Sequence, residues 1–173
     1  HLPGAVYGYV SGAAETDSAL RHNRESFRDW AFVPRFLVDV SGRSQETELF
    51  GRTYAAPFGI APMGASALAA DLGDLVLAAA AKAANLPMIT SAAGFIRLEE
   101  IRAAGSDWYQ CYQPGITERI EALIDRVAAA GYGTFVLTVD IPVSANRENN
   151  VRSGYSTPLK LTPRLAWDGL IHP

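Results

Sequence analysis

Cysteine is nearly absent: one residue, Cys111, in a chain of 173. That excludes an internal disulfide and any metal site built from several thiolates. Basic residues are no more plentiful than acidic ones. Fifteen Lys and Arg stand against eighteen Asp and Glu, for a net charge of −3 and a pI near 5.6. A nucleic-acid or anionic-membrane surface requires a basic excess or cluster, so neither partner is expected. No apolar run approaches the roughly 18 residues needed to cross a bilayer. No secretory signal pattern opens the sequence either, so a reducing, cytoplasmic setting is the expectation. Charged residues are also scarce, at 19% against 49% hydrophobic, which argues against disorder and for a sizeable core.

What is present falls into three stretches. Residues 1–54 read as an appendage: two short helices, the second capped by Thr16 or Asp17 and running to about Phe27. Strand-like pieces at 36–38 and 48–50 then flank a Ser41-Gly42 turn. Residues 55–140 carry a rhythm of short apolar strands and helices. The strand centres fall near 60, 89, 110 and 137. Between them, a helix from Asp71 to Ala84 is expected to bury Leu72, Leu75, Val76 and Ala79. A second helix runs from Leu98 to Ala104, and a third from Thr117 to Ala130 ends at Gly131. Residues 141–173 lose periodicity and read as a long active-site loop.

Buried strands alternating with helices imply a parallel α/β sheet. The spacing suits either an eight-stranded barrel, which averages ~31 residues per unit, or a doubly wound sheet. The polar groups favour the barrel, because each strand ends in chemistry: Pro62-Met63-Gly64, Thr90-Ser91, Gln110 with Tyr112, and Thr138 with Asp140. Barrel active sites collect at that edge. Four β/α units make only half of a (β/α)8 barrel. Cys111 alternates with Gln110 and Tyr112, so it is expected in the core.

Several motifs in order carry a resemblance. They are Tyr7-Gly8-Tyr9-Val10-Ser11-Gly12 with Glu15 and Asn23-Arg24, then Phe32-Val33-Pro34-Arg35, Ile60-Ala61-Pro62 and Thr90-Ser91. Tyr109-Gln110-Cys111-Tyr112, Leu137-Thr138-Val139-Asp140-Ile141-Pro142 and Arg147-Glu148 complete the set. The chain resembles the FMN-dependent α-hydroxy-acid oxidases and dehydrogenases over nearly its whole length. The resemblance implies the N-terminal half of a TIM-type β/α barrel preceded by helices, FMN as cofactor and a 2-hydroxy acid as substrate. It also implies a homotetramer and a partner in the C-terminal half of the same barrel.

Carried over residue by residue, Ala61, Pro62, Met63 and Gly64 would line the flavin ring, and Ser91, Gln110 and Thr138 would hydrogen-bond its polar edge. Tyr9 and Tyr112 match the tyrosines that face the substrate, Arg147 an arginine at the substrate mouth, and Asp140 the aspartate behind the catalytic histidine. Such an aspartate raises the histidine's proton affinity and fixes its tautomer. The family's base histidine, carboxylate-binding arginine, flavin-facing lysine and phosphate site belong to the second half of the barrel. None of His1, His22 and His172 matches the base, so these residues alone should not turn over. Mandelate-type relatives carry glycine where Gly64 stands, and some enzymes of small aliphatic acids carry alanine. The missing methyl, with Met63 and Phe95 as an apolar wall, leads to mandelate or 4-hydroxymandelate as the expected substrate and oxygen as the electron acceptor. Glycolate or lactate chemistry, or a non-catalytic half-barrel binding module, are the alternatives.

Overall fold

The computed structural model describes residues 2–112, 115–141 and 143–171. His1, Pro142 and His172, noted above, lie outside them. The chain divides into two compact units that are not consecutive in sequence: residues 2–40 with 143–171, and residues 41–141.

The second unit holds the sheet. Its hairpin pairs β1 (Thr47–Leu49) with β2 (Arg52–Tyr54), Leu49 opposite Arg52. The turn is therefore Phe50-Gly51, not Ser41-Gly42. Both turn residues have positive φ, +50° and +76°, the backbone of the two-residue loop that matches strand twist. Residues 36–38 form no strand: they find no pairing partner, and Phe36 and Leu37 are fully open to solvent.

Three parallel strands follow, β3 (Ile89–Ser91), β4 (Trp108–Tyr112) and β5 (Thr134–Thr138), in spatial order β3-β4-β5. Ser91 lies opposite Gln110, and Tyr112 opposite Thr138. The strand expected near residue 60 is reduced to one parallel bridge, Ile60 to Met88. Pro57 and Pro62 flank it without N–H groups to give a ladder.

The connecting helices are α3 (Gly73–Ala83), α4 (Leu98–Ala104) and α5 (Thr117–Ala129). Helix α3 starts after Leu72, without an Asp71 cap, and its inward face differs from expectation. It buries Asp74, Ala78 and Ala81, while Leu72 and Val76 are 51% and 63% exposed. Close approach to α4 selects the small side chains: a Cβ on Gly105 would sit 3.0 Å from the Ala78 carbonyl oxygen. Ala78, Ala81, Met88 and Ile101 form one core cluster, and Leu98, Tyr109, Cys111 and Val127 the other. Burial pushes the Cys111 thiol pKa up, as expected of a packed thiol.

In the first unit, α1 (Gly4–Ser11) packs against two helices of the C-terminal stretch, α6 (Glu148–Ser153) and α7 (Pro163–Ile171), while α2 (Ser18–Glu25) buries no residue. Residues 148–153 and 163–171 are thus not a loop. Helix α6 is braced by a Glu148–Arg152 ion pair at 2.5 Å and stops at Gly154 in the left-handed region. Thr162 caps α7 through its hydroxyl, which accepts the Leu165 N–H at 3.2 Å, and Pro163 takes the first helical position. Asp17 precedes α2 but its carboxylate does not cap that helix; it accepts the Ala13 N–H and the Asn149 amide.

Candidate functional site

The C-terminal ends of β3, β4 and β5 carry one continuous polar line. Ser91 donates to the Gln110 side-chain carbonyl at 3.3 Å, and the Gln110 amide donates to Thr138 Oγ1 at 2.6 Å. Parallel pairing produces it: Ser91 and Gln110 stand side by side in register, and Thr138 is one pleat further on beside Tyr112. Gln110 is only 3% exposed. A buried primary amide needs partners on both its oxygen and its nitrogen, and it has them here. Thr138 accepts from Gln110, so its own O–H remains to be given to a further acceptor. Gln110 and Tyr112 project from one face of β4 while Tyr109 and Cys111 fill the core on the other. Tyr112 is 46% exposed.

Beside this line, the turn Ala61-Pro62-Met63-Gly64 lies against the loop after β3. The Ala65 N–H donates to the Ala93 carbonyl at 3.0 Å, and a Cβ on Gly64 would meet Ala93 Cβ at 3.1 Å. Glycine at 64 therefore serves close packing of two site loops. Asp140, two residues past β5, is exposed and has no ion-pair partner among the described residues.

Behind the edge, Thr90 belongs to a buried network whose Ser106 and Tyr132 the sequence patterns did not single out. Thr90 donates to Ser106 at 2.8 Å, and Ser106 donates to the Met88 carbonyl at 2.9 Å. The Tyr132 hydroxyl donates to the Leu98 carbonyl at 2.8 Å and lies 3.0 Å from Thr90 Oγ1. Burial pushes the Tyr132 pKa up to about 12, outweighing the hydrogen bond to Thr90, which pulls it down. The phenol therefore stays a neutral brace holding the strand that presents Ser91. Two further buried atoms, Ser66 Oγ and Asp74 Oδ2, have no hydrogen-bond partner among the described residues.

Tyr9 and Arg147 belong to the other unit, where the structure brings them together. The Arg147 guanidinium carbon stands 5.6 Å from the Tyr9 ring centre. Tyr155, also missed in the sequence, stacks on Tyr9 with ring centres 4.3 Å apart and planes at 13°.

A family model described as FMN-dependent dehydrogenase matches residues 1–173. (S)-mandelate dehydrogenase of Pseudomonas putida is 34% identical over 174 residues, covering 99% of this chain and 44% of that protein. L-lactate oxidase of Lysinibacillus sphaericus is 36% identical over 163 residues, covering 92% of this chain and 42% of that protein. Among solved structures, a monotopic membrane protein (S)-mandelate dehydrogenase superposes with a TM-score of 0.89 at 35% identity, over 99% of this chain and 46% of that one. The chain thus spans about half the length of the relatives it matches. Among the described residues, no helix is long and apolar enough to cross a membrane.

Proposed function

Because the chain belongs to the FMN-dependent dehydrogenase family, we propose that it forms the N-terminal half of a β/α barrel that oxidises an (S)-2-hydroxy acid, mandelate or 4-hydroxymandelate, to the 2-oxo acid. The observation that carries this reading is the Ser91–Gln110–Thr138 line at the strand ends. The polar edge of a flavin ring presents carbonyl oxygens and ring nitrogens, and a fixed amide with a free hydroxyl beside it fits that edge. When bound, FMN supplies a two-electron acceptor for the hydrogen leaving the substrate's α-carbon, with oxygen as the terminal acceptor in this reading.

The chain's own residues divide the remaining work. Gln110, oriented by Ser91, and Thr138 direct donors at the ring edge where negative charge accumulates. The Ala61-Pro62-Met63-Gly64 turn forms an apolar ledge along the ring. Tyr112 offers its phenol to the reacting oxygen; Tyr9 and, from the substrate mouth, Arg147 offer donors to the substrate carboxylate, beside the carboxylate-binding arginine that the second half of the barrel would bring. Asp140 is left open to orient a base histidine supplied from outside these residues. Coverage of under half of each relative supports the C-terminal half of the same barrel as the partner that brings that histidine. So does the single-sided pairing of β5 among the described residues, with Leu137 and the adjoining Val139 exposed. A homotetramer in the cytoplasm completes the reading; light scattering and cell fractionation test those two points.

Steady-state kinetics on the assembled, flavin-loaded barrel test the substrate. An aromatic-acid site predicts that kcat/KM for (S)-mandelate exceeds that for lactate and glycolate by about ten- to a hundredfold, the scale on which an apolar pocket discriminates. Equal or higher values for lactate would reassign the site to small aliphatic acids.

A further inference from the structure

Tyr155 has no part in the site as assigned so far, yet the fold aims it at Tyr9. Helices α1 and α6 approach so closely that a Cβ on Gly8 would come within 2.4 Å of Ser153 Cβ, and one on Gly12 within 2.7 Å of Asn149 Cβ. Side-chain amides lock the pair in register. Asn149 donates to both Asp17 carboxylate oxygens at 2.9 and 3.1 Å, and Asn146 donates to Glu15 at 3.1 Å. The Glu15 N–H returns a bond to the Asn146 carbonyl at 2.9 Å. At the end of α6, Gly154 reverses the chain, and the Tyr155 N–H donates to the Asn150 carbonyl at 2.9 Å. Those bonds set the backbone direction from which Tyr155 lays its ring on Tyr9.

Resting on the reading of Tyr9 and Arg147 as the carboxylate-facing pair, we propose that Tyr155 is a positioning residue: its stacked ring holds the Tyr9 phenol beside the Arg147 guanidinium. A tyrosine on a short helix can swing about two side-chain torsions. Tyr155 and the Arg147 cation both engage the Tyr9 ring, which restricts that swing and presents hydroxyl and guanidinium together to one carboxylate. The hydroxyl of Tyr155 has no role in this; its flat ring does.

The test compares Tyr155→Phe with Tyr155→Leu in the assembled, flavin-loaded barrel. Binding of benzoylformate, a 2-oxo acid that cannot donate a hydride, is read from the flavin spectrum, and KM and kcat for (S)-mandelate are measured beside it. Tyr155→Phe keeps the ring and is expected to stay within about twofold of the parent in every constant. Tyr155→Leu is expected to weaken benzoylformate binding and raise KM by about three- to tenfold, with kcat little changed. It is also expected to lose the near-ultraviolet circular dichroism of the stacked pair while retaining full flavin content. If Tyr155→Leu fails to fold, Tyr155→Met, flexible and unbranched, carries the same expectation. Unchanged binding in the ring-less variant, or an equal loss in Tyr155→Phe, would overturn the proposal. Tyr9→Phe and Arg147→Met separate the two levels. If they weaken binding and Tyr155→Leu does not, the positioning role alone is wrong. If they too are silent, the carboxylate-facing reading has failed and Tyr155 with it.

Discussion

At the scale of single residues, the centre of the site is an amide. Gln110 is buried, and each end of its side chain is engaged by a neighbouring strand. Leucine at that position has similar bulk but neither donor nor acceptor, so it would leave Ser91 and Thr138 without their shared partner. Gln110→Leu is expected to weaken FMN binding by about ten- to a hundredfold, the cost of orphaning a buried polar group. Flavin fluorescence titration reads the affinity, and far-ultraviolet circular dichroism should show the secondary structure intact. The residue types at strand ends were legible because period-two alternation separates Gln110 and Tyr112 from the core-facing Tyr109 and Cys111. Tyr155 and Asn149 were not legible. Their partners, Tyr9 and Asp17, are more than 130 positions away in the chain, and no local pattern announces a contact of that separation.

Among elements, the regular pieces with strong periodicity were readable nearly to the residue: β4 at Trp108–Tyr112, α4 at Leu98–Ala104 and α5 at Thr117–Ala129. The misreadings have local physical causes. Alanines, not Leu72 and Val76, face inward on α3 because α4 packs so near. Helix α6 holds only six residues, too few for an apolar stripe to show. Helix α7 was hidden behind Pro163, which reads as a breaker in a polar stretch and is in fact a helix start.

Helices α4 and α5 are tied by a two-pronged ion pair, Arg126 to Glu99, at 2.7 and 2.9 Å. That hydrogen bonding is the leading cause of a Glu99 carboxyl held down at about 2 instead of the ordinary 4.5. A carboxyl depressed in the folded state stabilises above its unfolded value and loses that contribution as pH falls through its folded value. The clamp is therefore intact above about pH 4.5 and released on the way down to about 2. Glu99→Gln should lower the urea midpoint slightly at pH 7. It should also narrow the gap to the parent as the pH falls through that window, and high salt should shrink the difference because the pair is exposed to solvent. A gap that widens on acidification would contradict the assignment.

Taken as a whole molecule, the chain exposes what an enclosed fold would cover. Among the described residues of the sheet unit, β5 pairs on one side only, and Phe135, Leu137 and Val139 are open. In the helical unit, Phe32, Val33, Phe36 and Leu37 are almost wholly exposed in a stretch with no regular structure. Apolar surface of that extent marks an interface, and it fits the proposal that the remainder of the barrel completes both the core and the catalytic set. In that proposal these 173 residues hold the flavin side and the base histidine comes from outside them. The proposed chemistry accordingly belongs to the assembled barrel.

Anaerobic mixing of the assembled, flavin-loaded protein with (S)-mandelate tests this most directly, with the visible flavin absorbance followed in time. The account predicts that the oxidised band bleaches in a single reductive phase, returns when air is admitted, and does not bleach when these 173 residues are mixed with FMN and substrate by themselves. A flavin band that stays oxidised with mandelate, lactate and glycolate alike would contradict it.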